Sequence, residues 1–179
     1  MNALRYMTLI LVSLSGLAMS SFLVNWTISD TYRIYFEGSG AEGTFRGLEG
    51  TIRFSPDELA NSHMDVRVSV ATIDTGNKTK DQHARGDNWL YAEKYPYIRF
   101  VSESFRQTSS AYTVDGKLTL RGITKRISIP FTFGSEGSGK VFVGQFKVNR
   151  QDYGIEGPWL VGAAVGDEFV VKLRVPVTK

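Results

Sequence analysis

Apolar and polar residues alternate with a period of two along most of this chain. Met64, Val66, Val68 and Val70 share one face, with Asp65, Arg67 and Ser69 on the other. Ile98 and Phe100 flank Arg99, and Tyr112, Val114, Leu118 and Leu120 alternate with Thr113, Asp115, Lys117 and Thr119. Ile127, Ile129, Phe131 and Phe133 form a third face, and Phe169, Val171, Leu173 and Val175 a fourth. Such alternation is what a sheet with one wet face requires. It predicts strands at roughly 24–29, 31–37, 43–55, 62–74, 97–106, 111–121, 125–134 and 140–150, with a ninth at 167–177.

The breaks carry turn chemistry, as in Glu37-Gly38-Ser39-Gly40, Ser55-Pro56-Asp57, Arg121-Gly122 and the glycine-rich run 134–139. Asp115-Gly116 sits inside an alternating run, where a bulge or bend fits as well as a hairpin. Short connections without long helical patterns predict a meandering antiparallel sheet. Eight or nine strands with one continuous apolar face must close or fold over. The expected fold is therefore all-β, an eight- or nine-stranded antiparallel barrel whose interior fits side chains or one slender ligand. A β-sandwich is the alternative. Residues 74–95 are too long for a hairpin loop and predict one or two helical turns lying across an opening, with Gly86 opposing a continuous helix.

Composition narrows the function. Lys and Arg number 21 against 18 Asp and Glu, and no basic run is long enough to track a phosphate backbone, so nucleic acid is not an expected partner. Zero cysteines exclude disulfides, thiol catalysis and Cys-ligated metals, and two histidines leave little for a His-rich metal site. Residues 1–21 differ from the rest: Arg5 is the only charge, and Met7–Met19 is apolar and short for a membrane span. This predicts a signal peptide cut near Ser20–Ser21, with residues 22–179 as the exported domain, periplasmic or secreted. An uncleaved anchor or a buried first helix is the alternative.

Asp81-x-His83 with Arg85 and Asp87 is the densest ionisable cluster. It lacks a nucleophile or third ligand, and no Gly-x-Ser-x-Gly, His-Glu-x-x-His or Walker loop occurs, so it reads as polar contact to a ligand head group or as helix capping rather than catalysis. Arg150 could bind an anionic head group or pair with Asp152 or Asp167. Phe54, Phe100, Phe131, Phe133, Phe146 and Phe169 fall on inward faces, which permits an elongated apolar cavity as well as ordinary core packing.

Seven blocks in order resemble the YceI-like family of exported lipid- or polyisoprenoid-binding proteins. They are Trp26-Thr27-Ile28, Gly43-Thr44-Phe45-x-Gly47-Leu48-x-Gly50-x-Ile52-x-Phe54, Thr72–Asn77 with Lys80-Asp81-Gln82-His83, Tyr95–Phe100, Gly116–Thr124, Asn149-Arg150-x-Asp152-Tyr153-Gly154 and Gly166-Asp167-Glu168. The resemblance implies a lipocalin-like barrel around an isoprenoid or fatty chain, no catalysis, and Lys80–Arg85 near the barrel mouth. Lys80 and Ala84 stand where the family usually has Arg and Leu, and Trp89-Leu90-Tyr91 replaces Phe-Phe-Asp.

The expected function is thus non-enzymatic carriage or storage of a long apolar ligand, with no cofactor besides that lipid. The expected ligand contacts are Phe54, Val66, Val68, Lys80, His83, Arg85, Trp89, Phe100, Leu118, Phe131, Phe146, Arg150 and Phe169. Transient contact with a membrane or with a donor or acceptor protein, and a homodimer, are compatible with this role. The alternatives are a filled barrel acting as an interaction module and a lipid-modifying enzyme using His83 as base.

Overall fold

The structure is a computed structural model that describes residues 23–157 and 165–179; the leader expected over residues 1–21 lies outside them. Among the described residues are ten strands and one helix. The strands are β1 (Asn25–Ile28), β2 (Arg33–Gly38), β3 (Ala41–Phe45), β4 (Glu49–Arg53) and β5 (His63–Ser69), followed after helix α1 (Lys78–Arg85) by β6 (Tyr97–Thr108), β7 (Ala111–Leu120), β8 (Ile123–Glu136), β9 (Gly139–Asn149) and β10 (Glu168–Thr178). All pairings are antiparallel, in the order β1-β4-β5-β6-β7-β8-β9-β10, and β1 also pairs with β10, which closes an eight-stranded barrel. The β2–β3 hairpin joins the other half of β10, so β1 and β2 share one partner strand end to end.

The expected strand over 43–55 is two strands. The chain breaks at Gly47, whose φ of +72° belongs to the left-handed region, and the Leu48 amide donates to the Tyr32 hydroxyl at 3.0 Å. The expected strand over 62–74 ends at Ser69 and continues as a 3-10 turn, and a bridge from Thr44 to Asp74 ties that turn to β3. The β7–β8 hairpin is a two-residue turn with φ positive at both Arg121 and Gly122, the geometry that matches the twist of the flanking strands. Asp115-Gly116 runs straight through β7. The irregularity lies opposite, in β6, where the register slips between Ser102 and Ser104. A side chain at position 116 would meet the Phe100 ring at 2.5 Å.

The barrel interior has two unlike halves. At the end formed by β1, the start of β7 and the end of β8, aromatic rings meet. Phe54 is fully buried, with ring centroids of Phe105, Tyr112, Phe131, Phe133 and Phe142 all within 5.0–5.6 Å. Trp26 closes the cluster edge-on against Phe133 at 5.4 Å and donates its indole N–H to the Phe54 carbonyl at 2.9 Å. All but the tilted Phe105 contact are edge-to-face, the arrangement ring quadrupoles favour, and the close-packed rings form a solid plug. Toward the other end, where β5 and β9 end, the inward side chains do not meet and leave an opening.

Candidate functional site

That opening is a cavity of about 860 Å³, near the upper end of the roughly 300–1,000 Å³ range of ligand pockets. Its walls come from alternate residues of the barrel strands and of the β2–β3 hairpin. Val66 and Val68 of β5, Phe100 of β6, Leu118 of β7, Phe131 of β8, Phe146 of β9 and Phe169 of β10 all line it. Ile34 and Phe36 of β2 add a wall from the hairpin, which the sequence signalled by alternation but which was not among the expected contacts. Phe131 and Phe142 belong to both halves, lining the cavity on one side and packing on Phe54 on the other.

The mouth is covered by residues 73–90. Asn77 caps α1, its side-chain oxygen accepting from the Thr79 and Lys80 amides at 3.0 and 3.1 Å. Asp81 fastens the helix from within, its Oδ1 accepting from both the Thr75 hydroxyl and the Thr75 amide at 2.7 Å. Those two bonds, with lesser help from the Arg85 charge, hold the Asp81 carboxyl below its ordinary range. Lys80, His83 and Ala84 share one helical face and line the cavity, with Trp89 beside them.

A pH test of the lid follows from the Asp81 bonds. A carboxyl depressed in the folded state stabilises above its unfolded pKa of about 3.9, and that stabilisation is lost as pH falls through the lower folded value. Acid therefore loosens the Asp81 tie between α1 and Thr75. In hydrogen exchange the Thr75 amide gains rate toward low pH beyond the intrinsic change, and Asp81→Asn shows the fast rate at neutral pH as well.

Two expected contacts lie elsewhere. Phe54 is inside the plug beneath the cavity floor, because four strands aim five rings at its position. Arg85 lies off the helical face shared by Lys80, His83 and Ala84, and reaches the Ala71 carbonyl at 3.4 Å. Arg150 does line the cavity, yet its guanidinium is engaged by protein. It is 6% exposed, pairs with Asp167 at 2.8 Å, and donates to the carbonyls of Ile155 and Glu156 at 2.6 Å, Gly166 at 3.2 Å and Val165 at 3.3 Å. It also lies 5.7 Å from the Trp89 ring centroid. Of the two roles open to it from sequence, the structure displays the pairing with Asp167.

Arg121 is a residue that sequence reasoning passed over. From the β7–β8 turn it donates to the Asp87 carbonyl at 2.6 Å and to the Gly154 carbonyl, joining three loops at the mouth. The hairpin dipeptide alone carries no signal for this.

The comparisons agree with this architecture. A UPF0312 protein of Pseudomonas savastanoi is 34% identical over 123 residues, 65% of this chain and 64% of its own. The match thus spans just under two thirds of that relative's length. Protein YceI of Escherichia coli O157:H7 is 27% identical over 166 residues, covering 80% of this chain and 87% of its own. Among solved structures, BcnA of Burkholderia cenocepacia superposes with a TM-score of 0.76 at 25% identity, over 83% of this chain and 96% of that one. A polyisoprenoid-binding domain from Saccharophagus degradans shares the fold with a TM-score of 0.62 at 12% identity, over 88% and 99% of the two chains. The YceI-like domain profile matches residues 22–177, from before the first strand to within the last, and the chain belongs to the YceI-like family.

Proposed function

We propose that this protein binds and carries or stores a long apolar molecule, such as a polyisoprenoid, a quinone or a fatty chain, and performs no chemistry on it. The observation that carries this reading is the apolar cavity of about 860 Å³ above a solid aromatic floor. Each methylene buried there contributes about 0.8 kcal/mol, so roughly ten give about 8 kcal/mol before ordering losses. That corresponds to about micromolar affinity without any polar contact.

Lys80 and His83 are exposed at the mouth and available to a carboxylate, phosphate or quinone head. Arg150 holds carbonyls and Asp167 instead. What disfavours the enzymatic alternative is Asp81. The carboxylate that would orient His83 as a base accepts from Thr75. The carrier works in the periplasm or outside the cell, exported through residues 1–21, and meets a membrane or a donor or acceptor protein to load and unload.

Protein purified gently from its native host is expected to release a lipid into organic solvent, identified by mass spectrometry. Native mass spectra showing only apoprotein after incubation with isoprenoid and fatty-chain lipids would refute the reading.

A further inference from the structure

The plug makes the cavity a blind tube rather than a through-tunnel. Phe131 and Phe142 form its floor, backed by Phe54 at ring-centroid distances of 5.5 Å each and by one another at 5.7 Å. The floor cannot yield by a simple ring rotation, since Phe142 also meets Phe133 at 4.6 Å and Phe131 stacks on Tyr112 at 5.5 Å. The opposite end is the polar mouth under α1.

We infer that the Phe131–Phe142 floor sets the length of chain this protein accepts, with the apolar end seated on the rings and the head group held at the mouth. The inference rests on the cavity being a site for an apolar chain and adds what selects among such chains. Phe142 lies seven residues along β9 from Asn149 at the mouth. At about 3.4 Å per residue and a strand tilt of roughly 35–45°, the floor is about 18 Å below the strand ends. An extended alkyl chain with C–C bonds of about 1.5 Å advances roughly 1.25 Å per bond, so about fourteen carbons reach from floor to strand ends. A longer chain must fold back within the tube or leave methylenes in water, and each exposed methylene forfeits its share of the binding free energy.

Saturated straight-chain fatty acids from C8 to C22 serve as the probe, titrated into delipidated full-length domain and read by native mass spectrometry and calorimetry. The dissociation constant is expected to fall about fourfold per added methylene, then to level off near the chain length at which the tube is full. Phe131→Leu and Phe142→Leu each withdraw about two bonds of reach from the floor and move that break about two carbons longer. Leu173→Phe raises the floor, because Leu173 lines the tube one inward position mouthward of Val175, which pairs with Phe142. It moves the break to shorter chains.

A break that stays in place in folded floor variants, or that fails to shorten in Leu173→Phe, overturns the length gauge while chain binding stands. A wild-type domain that binds no acid of any length overturns the carrier reading itself, and the gauge falls with it. Should a leucine variant not fold, Leu173→Phe decides alone, since it adds volume on the open side and leaves the plug intact.

Discussion

Arg150→Met lowers stability by about 3–5 kcal/mol, the cost of removing one partner of a buried charged network. The side chain is nearly solvent-free, and five polar contacts among the described residues tie residues 155–156 to residues 165–167. Methionine fills much of the volume but leaves four carbonyls without this donor, which is why the loss exceeds that of an ordinary surface ion pair. At roughly 2–4 °C per kcal/mol for a domain of this size, the midpoint of thermal unfolding falls by about 10 °C. Arg150→Lys keeps the charge but not the planar fork, so it recovers only part of the loss. The check is a pair of urea melts with Asp167→Asn alongside. If the arginine mattered only for its ion pair, Asp167→Asn would match Arg150→Met. The carbonyl network predicts that it costs well under half as much.

Phe54→Ala is the second large effect, about 3–5 kcal/mol for a phenylalanine deleted from a close-packed core. Five rings lose their common neighbour, and the plug can refill the space only by abandoning edge-to-face geometry. Phe146→Ala is the informative comparison. It removes the same ring from the same barrel, but Phe146 is half-buried and faces open cavity, so fewer contacts disappear. Its stability cost is expected to be less than half that of Phe54→Ala, whereas its cost to chain binding is the greater. Chemical denaturation and ligand titration of both variants separate packing from lining. Equal stability losses would mean that the two halves of the interior are alike.

Much of the sheet was legible because strict period two admits few alternatives: the faces at 64–70, 112–120, 127–133 and 169–175 all point inward as read. The split of 43–55 was also written in the chain, though more faintly. Phe45 is inward at an odd position while Ile52 and Phe54 are inward at even ones, and that change of parity marks the break at Gly47. Arg85 had a similar signal. Once residues 78–85 form a helix, spacing of three and four places Lys80, His83 and Ala84 together and turns Arg85 aside.

What alternation could not convey is where the rings meet. Phe54 and Phe146 have the same side-chain type and the same inward sense. Only the mutual register of β6 through β9 brings rings to one and empty space to the other. Arg150 was undecidable for a related reason, since most of its partners are backbone carbonyls, which every residue carries.

The ring of strands is sealed by very little: Thr27 opposite Thr178 and Ile28 opposite Val177. That rung joins positions about 150 apart, among the most distant that this chain could pair. A folding chain can pair β4 with β5 and zip β6 through β9 as hairpins, each closing a short loop at small entropic cost, while β5 meets β6 only across the longer segment that carries α1. It cannot shut the circle until β10 has reached β1. Until then β1 and β4 present a bare edge to any neighbouring chain.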